Sequence, residues 1–438
     1  MALLVRLHGG GTLGTVLKGG HVVELEPALV ERVDLRIEGE RIVERAPDIA
    51  PRPDDEVVAL SGKLIFPGLV SAHHRLHASL ARGLAEPRAG NYQEALENGR
   101  WRYEAALDGD AVQVAACVGG LEALQCGTTT LFDFHSSPKA IAGSLVRVAR
   151  GLHEVGVRGV LSYAVTDRKG ALGREEGLEE TVGFARKAKG RFRGQVGAAS
   201  LFTVGPEALA GIQEALAATG AGLHVPVAED PLDEKLSVER HGAPPVTRLL
   251  EAGLLSPKSQ LAHVGHLAWA ELAQLLATGT WVVHTPRSNQ QLEVGYAPAL
   301  KFGARATLGT DGMAADVFAE AQAAYLRSRE AGQPIDVLRY LANGHRLASQ
   351  SFDFPVGPLR EGAAADLLLL DYLPPTPLNA GNLAWHVAYG LGSRHVEAVM
   401  VEGTWRIWAR RPLSVSPSVV ADQAREAATA VWARMSQG

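Results

Sequence analysis

The chain has 438 residues, 46% of them hydrophobic, and a formal net charge of −5, enough apolar content for one large barrel with a smaller companion domain. No Lys/Arg cluster is interleaved with aromatics, which argues against a nucleic-acid partner. No apolar run approaches the roughly 20 residues of a membrane span and no charged-then-apolar leader opens the chain. The two cysteines, Cys117 and Cys126, suggest neither a disulfide framework nor a Cys-based zinc site, so a cytoplasmic protein with reduced thiols is expected.

From residue 1 to 62 the pattern is short strands and turns, with Gly39 and Glu40 between two alternating runs as in a tight hairpin. From about 63 to 359, short apolar runs alternate with amphipathic helices, the rhythm of a parallel sheet. Helices are expected from Asp110 to Gln125, stopped by Gly127, and from Glu271 to Ala277, stopped by Gly279. Strands are expected within LIFPGLVSAHH, TTTLFDFH, RGVLSYAV, GQVGAAS, AGLHVPVA, SQLAHVG, TWVVHTP and RATLGTDG. Eight such strands close a TIM (β/α)8 barrel, and polar residues gather at their C-terminal ends, where such barrels carry chemistry. β material returns in ADLLLLD and in HVEAVMVEGTWRIWARR, with Gly403 and Thr404 as the turn, and a helix with Pro417 near its start ends the chain.

The stretch Leu64 to Gly83, LIFPGLVSAHHRLHASLARG, organises the rest. Strand alternation points His73, Arg75 and His77 one way and His74 the other, if extended geometry persists. With LFDFHSSP, YAVTDRKG, VVHTPRSN, TLGTDGM and NLAWHVAYGLGSRHV, this stretch resembles the amidohydrolase superfamily. It is most similar to the aminohydrolase and chlorohydrolase subgroup associated with selenium metabolism, within a class that includes deaminases. The resemblance implies a β sandwich built from both chain ends, 1–62 with 360–413, around a barrel at 63–359, followed by a helix at 414–438.

In that class an HxH pair on strand 1, a strand-5 histidine and an aspartate after strand 8 hold one divalent metal. A strand-5 glutamate moves the proton, and a strand-6 histidine polarises water or substrate. Carried over, His73 and Asp311 are metal ligands, Glu229 is the shuttle and His263 the polarising residue. Two positions depart: Arg75 replaces the second histidine, and Pro226 stands where the strand-5 histidine belongs. An arginine offers no lone pair. A divalent ion about 4 Å from it would be repelled by on the order of 8 kcal/mol at an effective dielectric of 20. No zinc is therefore expected in the usual geometry; zinc would serve only if the site proved functional. Arg75 is instead expected to take the cation's place and pair bidentately with Asp311, with Glu229 as second candidate.

His77, His224, His135 and His284 are candidate substrate-binding residues, each weighed against ordinary packing. Trp101, Arg102 and Tyr103 lie in a segment that forms a lid or a subunit contact in relatives. His266 is expected at a helix start. Asn382, Trp385 and His386 are placed at an interface or over the pocket. Three functions stay open: an altered C–N hydrolase or deaminase of a cyclic nitrogen compound, a non-catalytic binder or partner subunit, and metal-free acid–base chemistry through Glu229, His263 and Asp311. A small-molecule ligand is expected, and the family's habits allow a homodimer.

Overall fold

The computed structural model describes residues 14–84 and 90–436; the expected strands before residue 14 lie outside them. Eight parallel strands form the barrel: β1 (Leu69–His74), β2 (Thr128–His135), β3 (Arg158–Val165), β4 (Val196–Ala198), β5 (Leu223–Val227), β6 (Gln260–His263), β7 (Trp281–His284) and β8 (Ala306–Leu308). Each is buried along its whole length, as strands covered on both faces must be. The seam between β8 and β1 closes through the loop after β8. Thr310 and Asp311 donate their amides to the His73 carbonyl at 2.8 and 2.9 Å, and the Asp311 carbonyl accepts from the Arg75 amide at 3.0 Å. Gly309 is required there, because a Cβ would stand 2.8 Å from His73 Cβ and 2.7 Å from Val283 Cγ1.

The expected helices form at Gly109–Gln125, Trp269–Ala277 and Pro417–Ser436. Asp108 caps the first through a hydrogen bond from the Ala111 amide, and Gly127 ends it at a φ of 84°, a backbone state that glycine adopts without strain. Gly279 ends the second in the same way at 72°.

Both chain ends build two further sheets. One runs Arg41–Ala46, Asp34–Glu38, Thr15–Lys18, Glu56–Ala59. The other has seven strands in the order Arg411–Pro412, Thr404–Trp408, Val396–Val401, Leu367–Leu370, Leu64–Pro67, His21–Leu25, Ala28–Arg32. They share a core that includes Leu17, Val22, Leu35, Ile65, Leu367 and Met400, the interdigitation of a β sandwich. The Gly39–Glu40 hairpin forms as expected.

Two local expectations change. Leu64–Pro67 is not the start of the first barrel strand: it pairs antiparallel with Leu367–Leu370 and parallel with His21–Leu25 in the sandwich, and Gly68 separates it from β1. The C-terminal hairpin turns on Glu402 and Gly403, with Thr404 already paired to Val401.

The barrel is fastened to the sandwich by a buried charge network. Arg158, at the start of β3, reaches Asp366 through Nε (2.9 Å) and Nη2 (3.2 Å) and Glu402 through Nη1 (3.3 Å). Glu402 donates its amide to the same Asp366 at 2.8 Å, and Phe352 lies 4.9 Å from the guanidinium carbon. Removing one partner strands a charge in a dry interior. Asp366→Ala is therefore expected to lower unfolding free energy by about 3–5 kcal/mol, read by urea titration; a change under 1 kcal/mol would show that the network is solvated.

Candidate active site

The strand ends converge on Asp311. It follows β8 at a φ of 46°, while His263 at the end of β6 and Ala228 just before Glu229 have φ of 72° and 49°. Left-handed backbone at non-glycine residues costs energy and clusters where geometry serves function. Asp311 Oδ1 accepts from Arg75 Nε at 2.5 Å and lies 3.2 Å from His73 Nε2, while Ser288 donates its hydroxyl to Oδ2 at 2.6 Å. Burial would raise this carboxyl, but the Arg75 guanidinium and His73 hold it well below the usual range. The expected pairing of Arg75 with Asp311 is present, but not as a fork. Only Nε engages, Ser288 donates to the second oxygen, and among the described residues Arg75 Nη2 is buried without a hydrogen-bond partner. Phe134 lies 5.2 Å from the guanidinium carbon.

Glu229 has a cation of its own. Arg100 grips it in a fork, Nη2 to Oε1 at 3.0 Å and Nη1 to Oε2 at 3.3 Å. Burial alone would raise Glu229; Arg100, with His263, brings it down to about 2. A carboxylate that acidic is a poor proton acceptor at neutral pH. Asp233 accepts the Glu229 amide at 2.9 Å, and burial beside Glu229 pushes its carboxyl up to about 8. Arg100 comes from a segment laid over the mouth. Asn91 caps Tyr92–Ala95, a π-helical turn follows at Leu96–Arg100, and a helix continues as Trp101–Ala106. Its apolar side packs Leu96, Tyr92 and Trp101 against Phe202, Leu232 and Leu236.

The other expected site residues divide into two layers. His73 and His224 lie in the barrel, 2.7 Å apart between Nδ1 and Nε2, with Ser162 Oγ 3.2 Å from His224 Nδ1. His263 Nδ1 is held near Thr285 Oγ1 (2.9 Å) and Asn289 Oδ1 (3.2 Å), which leaves Nε2 3.9 Å from Glu229. His77 does not share the His73 face. The extended backbone ends at Arg75 and a 3-10 turn begins at Leu76, so His77 meets His135 edge to face at 5.4 Å instead. His135 Nε2 lies 2.9 Å from Ser137 Oγ. His284 packs against Phe302 with both ring nitrogens unpartnered among the described residues, and His266 contacts the Val294 carbonyl. Burial lowers His73 to about 4 and His77 and His284 to about 3, so all three are neutral near pH 7. His386 meets the Tyr372 hydroxyl, while Trp385 stacks with Tyr389 on the surface.

The residues that sequence reasoning missed are Arg100, Ser288, Asn289 and Asp233. Ser288 and Asn289 sit within the HTPRSN motif, so extending attention past His284 would have found them. Arg100 immediately precedes the lid residues already singled out, but nothing local links it to Glu229.

Whether a divalent ion fits can be judged from the donors. His73, His263 and Asp311 bring ligand atoms within 4.8 Å of one another. Of the four ligand positions that the resemblance implies, one is the donorless Pro226 and another is Arg75, which lies against Asp311. Two carboxylates, Asp311 and Glu229, already face two guanidiniums. These residues do not fit a zinc ion in the four-ligand arrangement that the family resemblance implies. A small cavity of about 20 Å³ beside these groups has Arg75, Arg100, Trp101, Phe134 and Pro226 in its wall, room for about one water.

Similar proteins supply the wider setting. A 5-methylthioadenosine/S-adenosylhomocysteine deaminase from Haloarcula marismortui is 32% identical, over 80% of this chain and 82% of its own. A 5'-deoxyadenosine deaminase from Methanosarcina mazei is 27% identical over 96% and 99%. Among solved structures, an adenosine deaminase from Xanthomonas campestris with bound zinc superposes with a TM-score of 0.86 at 20% identity, covering 96% of this chain and 98% of that one. An atrazine chlorohydrolase from Arthrobacter aurescens TC1 complexed with zinc gives 0.82 at 19%, covering 94% and 100%. With the amidohydrolase family model matching residues 64–406, this chain belongs to the amidohydrolase family.

Proposed function

We propose that this protein is a deaminase-like amidohydrolase in which zinc-dependent C–N hydrolysis has given way to zinc-free recognition of a small, adenosine-like nitrogen heterocycle. The carrying observation is the Arg75 Nε to Asp311 Oδ1 contact of 2.5 Å. A permanent cation sits on the carboxylate that a metal would need. Zinc supplies a bound water acidified to about pKa 7; a guanidinium offers only donors and lowers no water's pKa comparably. His73, His224 and His263 then act as hydrogen-bonding groups of the mouth. Ligand entry requires the Tyr92–Ala106 segment to lift, since Arg100 on that segment is forked to Glu229 at the strand ends. The relatives' names favour an adenosine-like ligand over the selenium-associated role that the sequence resemblance suggested. The division into 1–62 with 360–413, 63–359 and 414–438, and a cytoplasmic location, belong to the same reading.

A second reading is supported by the convergence of His73, His263 and Asp311: C–N hydrolysis with an ion bound in a shifted position. Elemental analysis decides between them. Protein purified without chelator and then exposed to zinc is expected to retain far less than one ion per chain. Stoichiometric zinc would establish the second reading and end the first. Arg75→His combined with Pro226→His is expected to raise retained zinc toward one per chain; an unchanged zinc content would mean that the missing ligands do not explain the loss.

Arg100 has its own consequence. Arg100→Met leaves Glu229 buried without a cation, for an expected loss of about 3 kcal/mol. Adding Glu229→Gln should return most of it in a double-mutant cycle by chemical denaturation. Simple additivity would show that the fork does not couple the two residues.

A further inference from the structure

Beside the filled mouth lies a second, far larger cavity of about 550 Å³, within the range of small-molecule sites. It opens beyond the C-terminal ends of β3 and β4 and is bounded on one side by the segment that carries Arg100. The two cavities share Trp101, Arg168 and Thr203 as walls but differ in chemistry. The mouth is closed around matched ion pairs, whereas this cavity has an aromatic floor and a cationic rim. Tyr163 and Phe202 are buried in the floor, 3% and 2% exposed, and Trp101 faces them from the covering segment.

The charges around it do not cancel. Arg168 lies over the Trp101 ring at 4.4 Å and is matched by Glu104 at 2.9 Å. Asp167 is consumed by Arg174 at 2.7 Å and by the Gly205 amide at 2.6 Å. What remains is Glu97 against Lys169 and Arg240. Among the described residues Lys169 touches only the Pro138 carbonyl, a neutral acceptor. Arg240 lies 5.3 Å from the Phe202 ring, with a long 3.4 Å contact to the Phe202 carbonyl. Both are exposed at the rim. A guanidinium over an aromatic ring keeps its remaining N–H groups available to an anion while its flat face extends the apolar wall. This combination selects a ligand with a planar ring to lie on Trp101, Tyr163 and Phe202 and a negative group to reach Lys169 and Arg240.

We propose that this cavity is a binding site for a planar aromatic ligand bearing an anionic group, of the nucleoside monophosphate or aromatic carboxylate class. It is distinct from the barrel mouth and does not depend on whether that mouth holds zinc. The shared requirement is ring plus anion, and the two sources are separated by the probes.

Isothermal titration of the full chain with adenosine 5'-monophosphate and with indole-3-acetate, each beside its uncharged counterpart adenosine or indole-3-acetamide, tests this. At least one anionic probe is expected to bind one per chain, about ten-fold or more tighter than its neutral partner, to quench tryptophan fluorescence and to weaken as salt is raised. Monophosphate alone binding assigns the nucleotide class, and indole-3-acetate alone the aromatic acid class. Lys169→Glu and Arg240→Glu, at exposed positions that the core does not use, should each lower that affinity about ten-fold with the thermal midpoint unchanged. Lys169→Gln and Arg240→Gln serve if a reversal perturbs folding. No binding of either anion at millimolar concentration, equal affinity for charged and uncharged probes, or affinity that survives both substitutions would overturn the site.

Discussion

Two carboxylates buried at the end of a barrel cannot stay ionised without nearby positive charge, and the contact of Arg75 with Asp311 is how this molecule meets half of that requirement. At an effective dielectric near 20, a pair of unit charges about 4 Å apart interact by roughly 4 kcal/mol, enough to offset much of the cost of burial when hydrogen bonds complete the shell. Asp311 has that shell: Arg75, His73 and Ser288 all point at it. The second half comes from Arg100, which is not part of the barrel at all. The electrostatics of the mouth thus tie the Tyr92–Ala106 segment to β5, and the order of that segment and the charge state of Glu229 become one problem.

A divalent ion and a pair of guanidiniums carry the same total charge but constrain their surroundings differently. An ion asks for lone pairs from several sides at about 2 Å. A guanidinium asks for acceptors in its own plane and rejects donors. His73 and His77 accommodate this by being neutral, through burial that holds them at about 4 and about 3. A neutral ring can turn a lone pair toward a donor, so the cluster tolerates Arg75 without a further counterion. Asp133, raised by burial to about 7 despite the Leu76 amide it accepts, is likewise free to be protonated where a fixed negative charge would upset the balance.

The barrel was legible because each strand is a short apolar run that ends in polar residues, and eight such runs with helices between them admit few architectures. The convergence of His73, His263, Glu229 and Asp311 at the strand ends was legible because each sits in a motif that keeps its place along the chain. Three things were not. Leu64–Pro67 is as apolar as any barrel strand, so composition does not say which sheet it joins; only Gly68 hints at the break. The common face expected for His73 and His77 failed because the backbone leaves extended geometry at Arg75. The fork expected between Arg75 and Asp311 did not form: only Nε reaches the carboxylate, and its second oxygen accepts from Ser288, far away in sequence. Arg100 belongs to the same class of omission, since its partner is 129 positions later and no periodicity encodes that contact.

Pro226 shows why the second departure is structurally cheap. Proline inside a sheet ordinarily removes a ladder hydrogen bond. β4 pairs with β5 only at Leu223 and His224, while on the other side Pro226 aligns with Ala262 of β6. Its missing N–H therefore falls where the β4 ladder has already run out, and the strand keeps its register. The ring faces the small cavity that Arg75 and Phe134 also line, which puts an apolar surface where an imidazole would present a lone pair. Arg75 contributes charge without a lone pair, Pro226 contributes neither, and both leave the strand ends in place. The ion pairs of Asp311 with Arg75 and of Glu229 with Arg100 are the arrangement that these strand ends hold.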